Sequence, residues 1–295
     1  MRILIYGAGA VGSIIAGKLF EAGTNVTLLA RNERYKQLSE NGLQLENILT
    51  YEKNIYRVKI IDVLESEDQY DYIIVCAKYQ QVDSILPSLK KNNSTTIVFA
   101  VNTPDGYDKW AKIVGSERVM LGFPALAGEL TQDKVRYFVS SGVQRLFQST
   151  TFAELNGSTN SKRLKALIRL FKRAGFAPVI TKDMDAWQKT HIAVIVGISN
   201  AINNFNGDNY ALANSKESLQ KLVLETRKMM RLIQKNKIAI VPSRLKFYYL
   251  PMPILTSIFK SSLGSKIGEY GMAKYAVNGK EEIRQLELAF YQQMK

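Results

Sequence analysis

The sequence predicts an α/β fold, a doubly wound parallel sheet followed by an all-helical domain. Three observations predict it. The chain opens with a short apolar strand, Arg2–Tyr6, that runs into Gly7, Gly9 and Gly12 and then into an apolar stretch at helical spacing. Strand-like and helix-like segments alternate from there to about residue 180, as parallel strands joined by crossover helices require. Beyond that point only long helical periodicities occur.

The residues Gly7, Ala8, Gly9, Ala10, Val11 and Gly12 lie between the first strand and the first helix. In that context G-x-G-x-x-G is a dinucleotide-binding fingerprint. Gly7 permits the tight turn, Gly9 admits a pyrophosphate to the backbone, and Gly12 lets helix and strand pack closely. These six residues are the candidate cofactor loop of a Rossmann-type domain. The plainer alternative is a glycine-rich turn that binds nothing. A helix over 11–20 stops at Ala22 and Gly23, and a second strand follows at 25–30. An acidic residue at the end of that strand would favour NAD by holding both ribose hydroxyls. Arg31 stands there instead, 24 positions after Gly7, with Asn32 next. A guanidinium holds a 2′-phosphate through two hydrogen bonds and stacks on adenine, so NADP(H) is the expected cofactor. Against this, Glu33 is close by, and the plainer alternative for Arg31 is a solvated loop charge.

The remaining elements follow in order. Residues 72–77 form a continuous apolar strand, 83–91 a helix and 96–101 another strand. Segments 119–121 and 135–148 are expected as later strands, the last in hairpins. Residues 161–174 read as a basic amphipathic helix ended by Gly175, and 177–181 as a short final strand. Helices are expected at 185–204, 216–236 and 274–294, interrupted by the proline-rich stretch 242–253. The boundary falls near residue 180. Residues 1–180 make a dinucleotide-binding domain and 181–295 a helical domain for substrate binding and dimerisation, with a homodimer as a candidate assembly.

Composition narrows the function. With 295 residues the chain has room for two domains, and it holds no run of 18 apolar residues to span a membrane. Arg2 before an apolar run has the polarity of a secretory leader, but glycines interrupt it and no convincing cleavage site follows, so a cytoplasmic protein is expected. The single cysteine, Cys76, excludes an internal disulfide. With His191 the only histidine, no His/Cys metal cluster is expected. The net charge of +14 suits anionic ligands. Its dense stretches, 162–173 and 227–246, have the spacing of solvated helix faces, so nucleic acid is not an expected partner.

Several motifs then converge. Lys78 follows the strand at 72–77, Asn102 follows the strand at 96–101, and A-W-Q-K occupies 186–189. An R-N…L…N-G-L run spans 31–43, and G-F-P-A-L-A-G spans 122–128. Together with the glycine loop they resemble the ketopantoate reductase family, over the first two thirds of the chain and little beyond. The resemblance implies NADPH-dependent reduction of a small 2-oxo acid, 2-dehydropantoate to pantoate in pantothenate biosynthesis. It implies a helical domain of the phosphogluconate dehydrogenase type. It also implies that Lys189 is the general acid, and that Lys78 and Asn102 lie beside the nicotinamide and the substrate.

The chemistry agrees with those roles. Hydride transfer to a ketone builds charge on oxygen, which a nearby ammonium stabilises and then protonates. Lysine suits this because its pKa shifts readily on burial. The bland alternative for Lys189 is a first-turn lysine with its stem packed on Trp187. Lys78 and Asn102 lie where ligands bind such sheets, though each could be an ordinary loop residue. The family's pocket asparagines, four and eight positions after the lysine, are replaced by Ala193 and Gly197. Asn200 returns to the same helix face as Lys189 and is a candidate substrate contact, three turns away and so no direct replacement. The family's late serine and glutamate motif is missing near 261–274, where Glu269 is the nearest candidate, and His191 reads as a packed helix residue. Two alternatives stay open: a non-catalytic NADP(H)-binding regulator, and an opine-type dehydrogenase of another substrate.

Overall fold

The computed structural model describes residues 1–139 and 149–295. The chain divides into two compact units. One comprises Met1–Val101 with Tyr107–Met184; the other comprises Asn102–Gly106 with Asp185–Lys295.

The first unit is built on an eight-stranded sheet. Its central strands are β1 (Arg2–Tyr6), β2 (Asn25–Leu29), β5 (Lys59–Ile61), β6 (Tyr72–Val75), β7 (Ile97–Ala100) and β8 (Val119–Phe123), all parallel and in the order β5-β2-β1-β6-β7-β8. The strand order reverses between β1 and β6, the position at which open α/β sheets bind ligands. Every residue of β6 and β7 is buried, which explains their unbroken apolar sequences: both faces of the sheet are covered. Strand β11 (Thr150–Glu154) adds antiparallel to β8, and β12 (Pro178–Ile180) closes that edge.

Helix α1 (Ala10–Glu21) follows β1 directly, and α2 (Asn32–Asn41) follows β2. Helices α3 (Val82–Lys91) and α4 (Asp108–Val114) flank β7 in the chain. Helix α5 (Lys162–Arg173) buries Leu164, Leu167, Leu170 and Phe171, with Ser161 capping its start by accepting the Leu164 N–H. Its basic residues lie off this apolar stripe, except Arg163, whose guanidinium neutralises the buried Glu154.

A second, four-stranded sheet was not expected from the sequence. It runs β4-β3-β10-β9, from β3 (Leu43–Asn47), β4 (Lys53–Tyr56), β9 (Ala127–Leu130) and β10 (Val135–Phe138). It packs on α1, and small residues make that possible. A methyl group at Gly17 would lie 2.5 Å from Leu45 Cδ1, and one at Gly128 would lie 2.8 Å from Ile14 Cδ1. Of the strands expected over 135–148, β10 is present and pairs antiparallel with the preceding β9; residues 140–148 lie outside the described part.

The second unit is helical among its described residues. Helix α6 (Met184–Asn203) and α8 (Lys216–Lys235) are its longest elements, joined through α7 (Asn209–Asn214). The proline-rich stretch forms a 3₁₀ segment, Ser243–Tyr249, and then α9 (Met252–Leu263) with Pro253 in its first turn. A short α10 (Lys266–Gly268) follows. The single helix expected over 274–294 is instead two, α11 (Lys274–Asn278) and α12 (Lys280–Gln293), divided at Gly279. No helix among the described residues is long and apolar enough to cross a membrane.

Candidate functional site

The first unit gathers its candidate residues at the carboxyl ends of β1, β2 and β6. Gly7 leaves β1 at φ +117°, and a Cβ there would lie 2.4 Å from the Cys76 carbonyl oxygen at the end of β6. A Cβ at Gly12 would lie 1.9 Å from the Gly7 oxygen. Both glycines are thus demanded by the packing of the chain on itself. Gly9 is not. It is exposed, its φ of −71° and ψ of −173° suit any residue, and nothing lies within 4 Å of the position a Cβ would take. The fold leaves open space in front of Gly9 that its own packing does not explain. Ala10 and Val11 begin α1, whose first turn has no side-chain cap and no acidic residue, so its N–H groups are free to meet an anion. The open Gly9 face and the uncapped helix start fit a dinucleotide pyrophosphate.

Arg31 caps α2 at the end of β2. Its Nη2 donates to the Tyr6 hydroxyl at 2.6 Å, and its guanidinium carbon lies 5.6 Å from the centre of the Tyr6 ring. The structure adds Arg34, which sequence reasoning missed. Arg34 donates from Nε to the Ala8 carbonyl and from Nη2 to Ser13 Oγ, each at 3.3 Å, and from Nη1 to Gln37 Oε1 at 2.5 Å. Burial pulls the Arg34 guanidinium below the usual arginine range. Among the described residues neither arginine has a carboxylate partner. Two uncompensated guanidiniums beside the glycine loop make a ready anion site. Lys78 is exposed just past β6, where it starts a single 3₁₀ turn, Tyr79–Gln81. Cys76, next to the loop, is no nucleophile, because burial pushes its thiol up to about 12.

The second unit gathers polar groups around the first turns of α6. Lys189 is 7% exposed, and its ammonium pairs with Asp185 one turn earlier on the helix. Trp187, Gln188 and Thr190 are buried around it. The segment Asn102–Gly106 belongs to this unit. Its Thr103 N–H donates to Gln188 Oε1 at 3.4 Å, and a methyl at Gly106 would lie 3.6 Å from Asp185 Oδ1. Asn102 Nδ2 donates to the Tyr275 hydroxyl at 3.3 Å. Asn102 is thus held by Tyr275 and its neighbour Thr103 by Gln188, while Lys189 is held by Asp185; the sequence did not single out Asp185, Gln188 or Tyr275.

Three other expectations meet a different environment. Ala193 is fully buried, and a methyl at Gly197 would lie 2.3 Å from Thr226 Oγ1 on α8. Those two positions pack the helical core, and an asparagine at 197 would not fit. Asn200 is not brought into the cluster: it is exposed and donates to Glu287 on α12 at 3.1 Å. Glu269 accepts from the Tyr210 hydroxyl at 3.2 Å instead of joining Lys189.

His191 stacks on Trp187, with ring centres 5.0 Å apart and planes at 21°. Burial depresses its imidazole to about 3, so it stays neutral in the folded protein near neutral pH. In the unfolded chain it titrates near 6.5. Below that value the unfolded state binds a proton that the folded state does not, so stability falls as pH falls. We expect a loss of about 2 kcal/mol between pH 7 and pH 5 from this group. Urea unfolding at both pH values should show a smaller loss for His191→Gln; equal losses would refute the assignment.

A parallel sheet with an open glycine loop at its reversal point is the architecture of a dinucleotide-binding domain, and the comparisons with known proteins place the chain among oxidoreductases. Residues 3–145 match the family model described as ketopantoate reductase PanE/ApbA. It is 26% identical over 238 residues to "Uncharacterized oxidoreductase YkpB" of Bacillus subtilis, covering 78% of this chain and 75% of that protein. It is 24% identical over 188 residues to the 2-dehydropantoate 2-reductase of Pyrococcus horikoshii, covering 64% of this chain and 58% of the relative. Among solved structures, a D-mandelate dehydrogenase in complex with NADH superposes with a TM-score of 0.75 at 17% identity, covering 99% of this chain and 91% of the other.

Proposed function

We propose that the protein reduces a small 2-oxo acid with NADPH, with 2-dehydropantoate as the candidate substrate and pantothenate biosynthesis as the pathway. The observation that carries this reading is Lys189, a buried ammonium at the start of a helix that is otherwise largely apolar. NADPH, when bound, supplies the hydride. The loop of Gly7, Ala8, Gly9, Ala10, Val11 and Gly12 holds the pyrophosphate through backbone N–H groups, and Arg31 with Arg34 holds the 2′-phosphate. Lys189 stabilises charge developing on the substrate oxygen and passes it a proton. Asp185 keeps that ammonium oriented, while Lys78 and Asn102 bind the substrate. The test is NADPH oxidation followed against a panel of 2-oxo acids that includes 2-dehydropantoate and phenylglyoxylate. Turnover of none of them would end this reading. It would leave a non-catalytic NADP(H)-binding regulator, which the packing of Ala193 and Gly197 into the core favours. Preference for phenylglyoxylate would move the substrate class toward that of the D-mandelate dehydrogenase.

The cofactor preference has its own test. Arg31→Ala is expected to weaken NADPH binding by about 1–3 kcal/mol, the range for a hydrogen bond to a charged group, and to leave NADH binding nearly unchanged. Arg34→Ala should act in the same direction. Fluorescence titrations at fixed ionic strength measure both, since phosphate contacts are salt-sensitive. Equal loss for the two cofactors, or no loss, would remove the 2′-phosphate role.

A further inference from the structure

We infer that Tyr6 is a positioning residue for cofactor choice: it holds the Arg31 guanidinium ready for the 2′-phosphate and so sharpens the preference for NADPH over NADH. The inference rests on the NADPH reading above. Tyr6 is the last residue of β1, immediately before Gly7, and it pairs in register with Leu29, at the end of the strand that leads to Arg31. The other buried residues of β1, Ile3, Leu4 and Ile5, are aliphatic and need no polar partner. Tyr6 is 3% exposed, and packing alone would be served as well by phenylalanine. Its phenol places a polar atom where the strand order reverses, and that atom is used twice. It accepts from Arg31 Nη2 at 2.6 Å and lies 3.1 Å from Ser88 Oγ on α3. Ser88 gives its own proton to the Ile85 carbonyl at 2.8 Å, so the Tyr6 O–H donates to Ser88. Helix α3 thus fixes the phenol, and the phenol fixes an arginine on another element.

Arg31 is exposed, and a solvated arginine otherwise samples many rotamers. Here its backbone is set by α2, since its carbonyl accepts the Tyr35 N–H at 3.3 Å, and its far end is set by Tyr6. The guanidinium carbon also lies 5.6 Å from the Tyr6 ring centre, within cation–π range. The choice of a phenol matters. A carboxylate would hold the arginine equally well but would neutralise it, whereas the phenol is a neutral acceptor and leaves the positive charge for a ligand. Nor does the hold exhaust the group. A guanidinium carries five N–H donors, and with one on Tyr6 enough remain for two parallel bonds to a phosphate. NADH has no 2′-phosphate and gains nothing from the arrangement.

The test is a double-mutant cycle on Tyr6 and Arg31, read by calorimetric titration with NADPH and with NADH at fixed ionic strength. Tyr6→Phe keeps the ring and removes the hydroxyl. It should weaken NADPH binding by about three- to tenfold, the cost of ordering one flexible side chain, and leave NADH within about twofold. In an Arg31→Ala background the same change should alter neither cofactor by more than about twofold, a non-additivity that a packing role would not produce. Ser88→Ala provides a second variant with a loss in the same direction, should Tyr6→Phe fail to fold. Equal loss for both cofactors, unchanged or tighter NADPH binding, or the same loss without Arg31 overturns the role of Tyr6. If Arg31→Ala itself leaves NADPH binding untouched, the 2′-phosphate reading falls and the role of Tyr6 falls with it. A loss in Arg31→Ala with none in Tyr6→Phe removes Tyr6 alone.

Discussion

Lys189→Ala is expected to lower kcat by roughly 10²–10⁴-fold, the span for loss of a positioned general acid. NADPH affinity should barely change, because the glycine loop and both arginines belong to the other unit of the chain. Stability should hold as well. The partner left behind, Asp185, has a side chain 44% exposed, so water can solvate its charge once the ammonium is gone. Lys189→Arg should not rescue, since a guanidinium stays protonated at working pH and donates poorly. The measurement is single-turnover reduction of the best substrate, alongside an NADPH titration and a thermal melt. A fully active Lys189→Ala protein would return this residue to a packing role. Loss of activity accompanied by loss of the fold would leave it there too.

Gly9→Val is expected to abolish dinucleotide binding while sparing the fold. The two halves of that statement have separate causes. Nothing lies within 4 Å of the Cβ position, and the extended backbone suits valine, so the chain can accept the change. The same side chain would fill the space through which a pyrophosphate approaches the N–H groups of α1. Gly12→Val makes the contrast, because its Cβ would fall 1.9 Å from a backbone oxygen, and this variant should fail to fold. Calorimetry with NADPH and a circular dichroism melt separate the cases. Normal NADPH binding by a folded Gly9→Val protein would falsify the loop assignment.

How much of this was legible beforehand depended on the range of the interactions involved. The strand, glycine loop and first helix are encoded within about twenty consecutive residues, and the fully buried β6 and β7 announce themselves as apolar runs. The second sheet was hidden because its strands are short and its outer strand half-exposed; β4 reads Lys-Asn-Ile-Tyr, with neither a run nor an apolar alternation. Arg34 resembles any solvated arginine on a surface helix until its contacts to Ala8 and Ser13 are seen. Tyr275 had no local signal at all, since its partner Asn102 lies 173 positions away. Gly197 was legible only as a missing asparagine. Its reason, contact with Thr226, requires knowing which two helices touch.

The sheet laid over α1 has a consequence for the energetics of any ligand that meets Gly9. Helix α1 is held from one side by β1 and β2 and from the other by the smaller sheet, with Gly17 and Gly128 letting the chains approach closely. A helix gripped in this way has little freedom to fray at its first turn. Its amide donors are pre-organised, and the conformational entropy of fixing them is lost once, during folding, rather than at each encounter with a ligand.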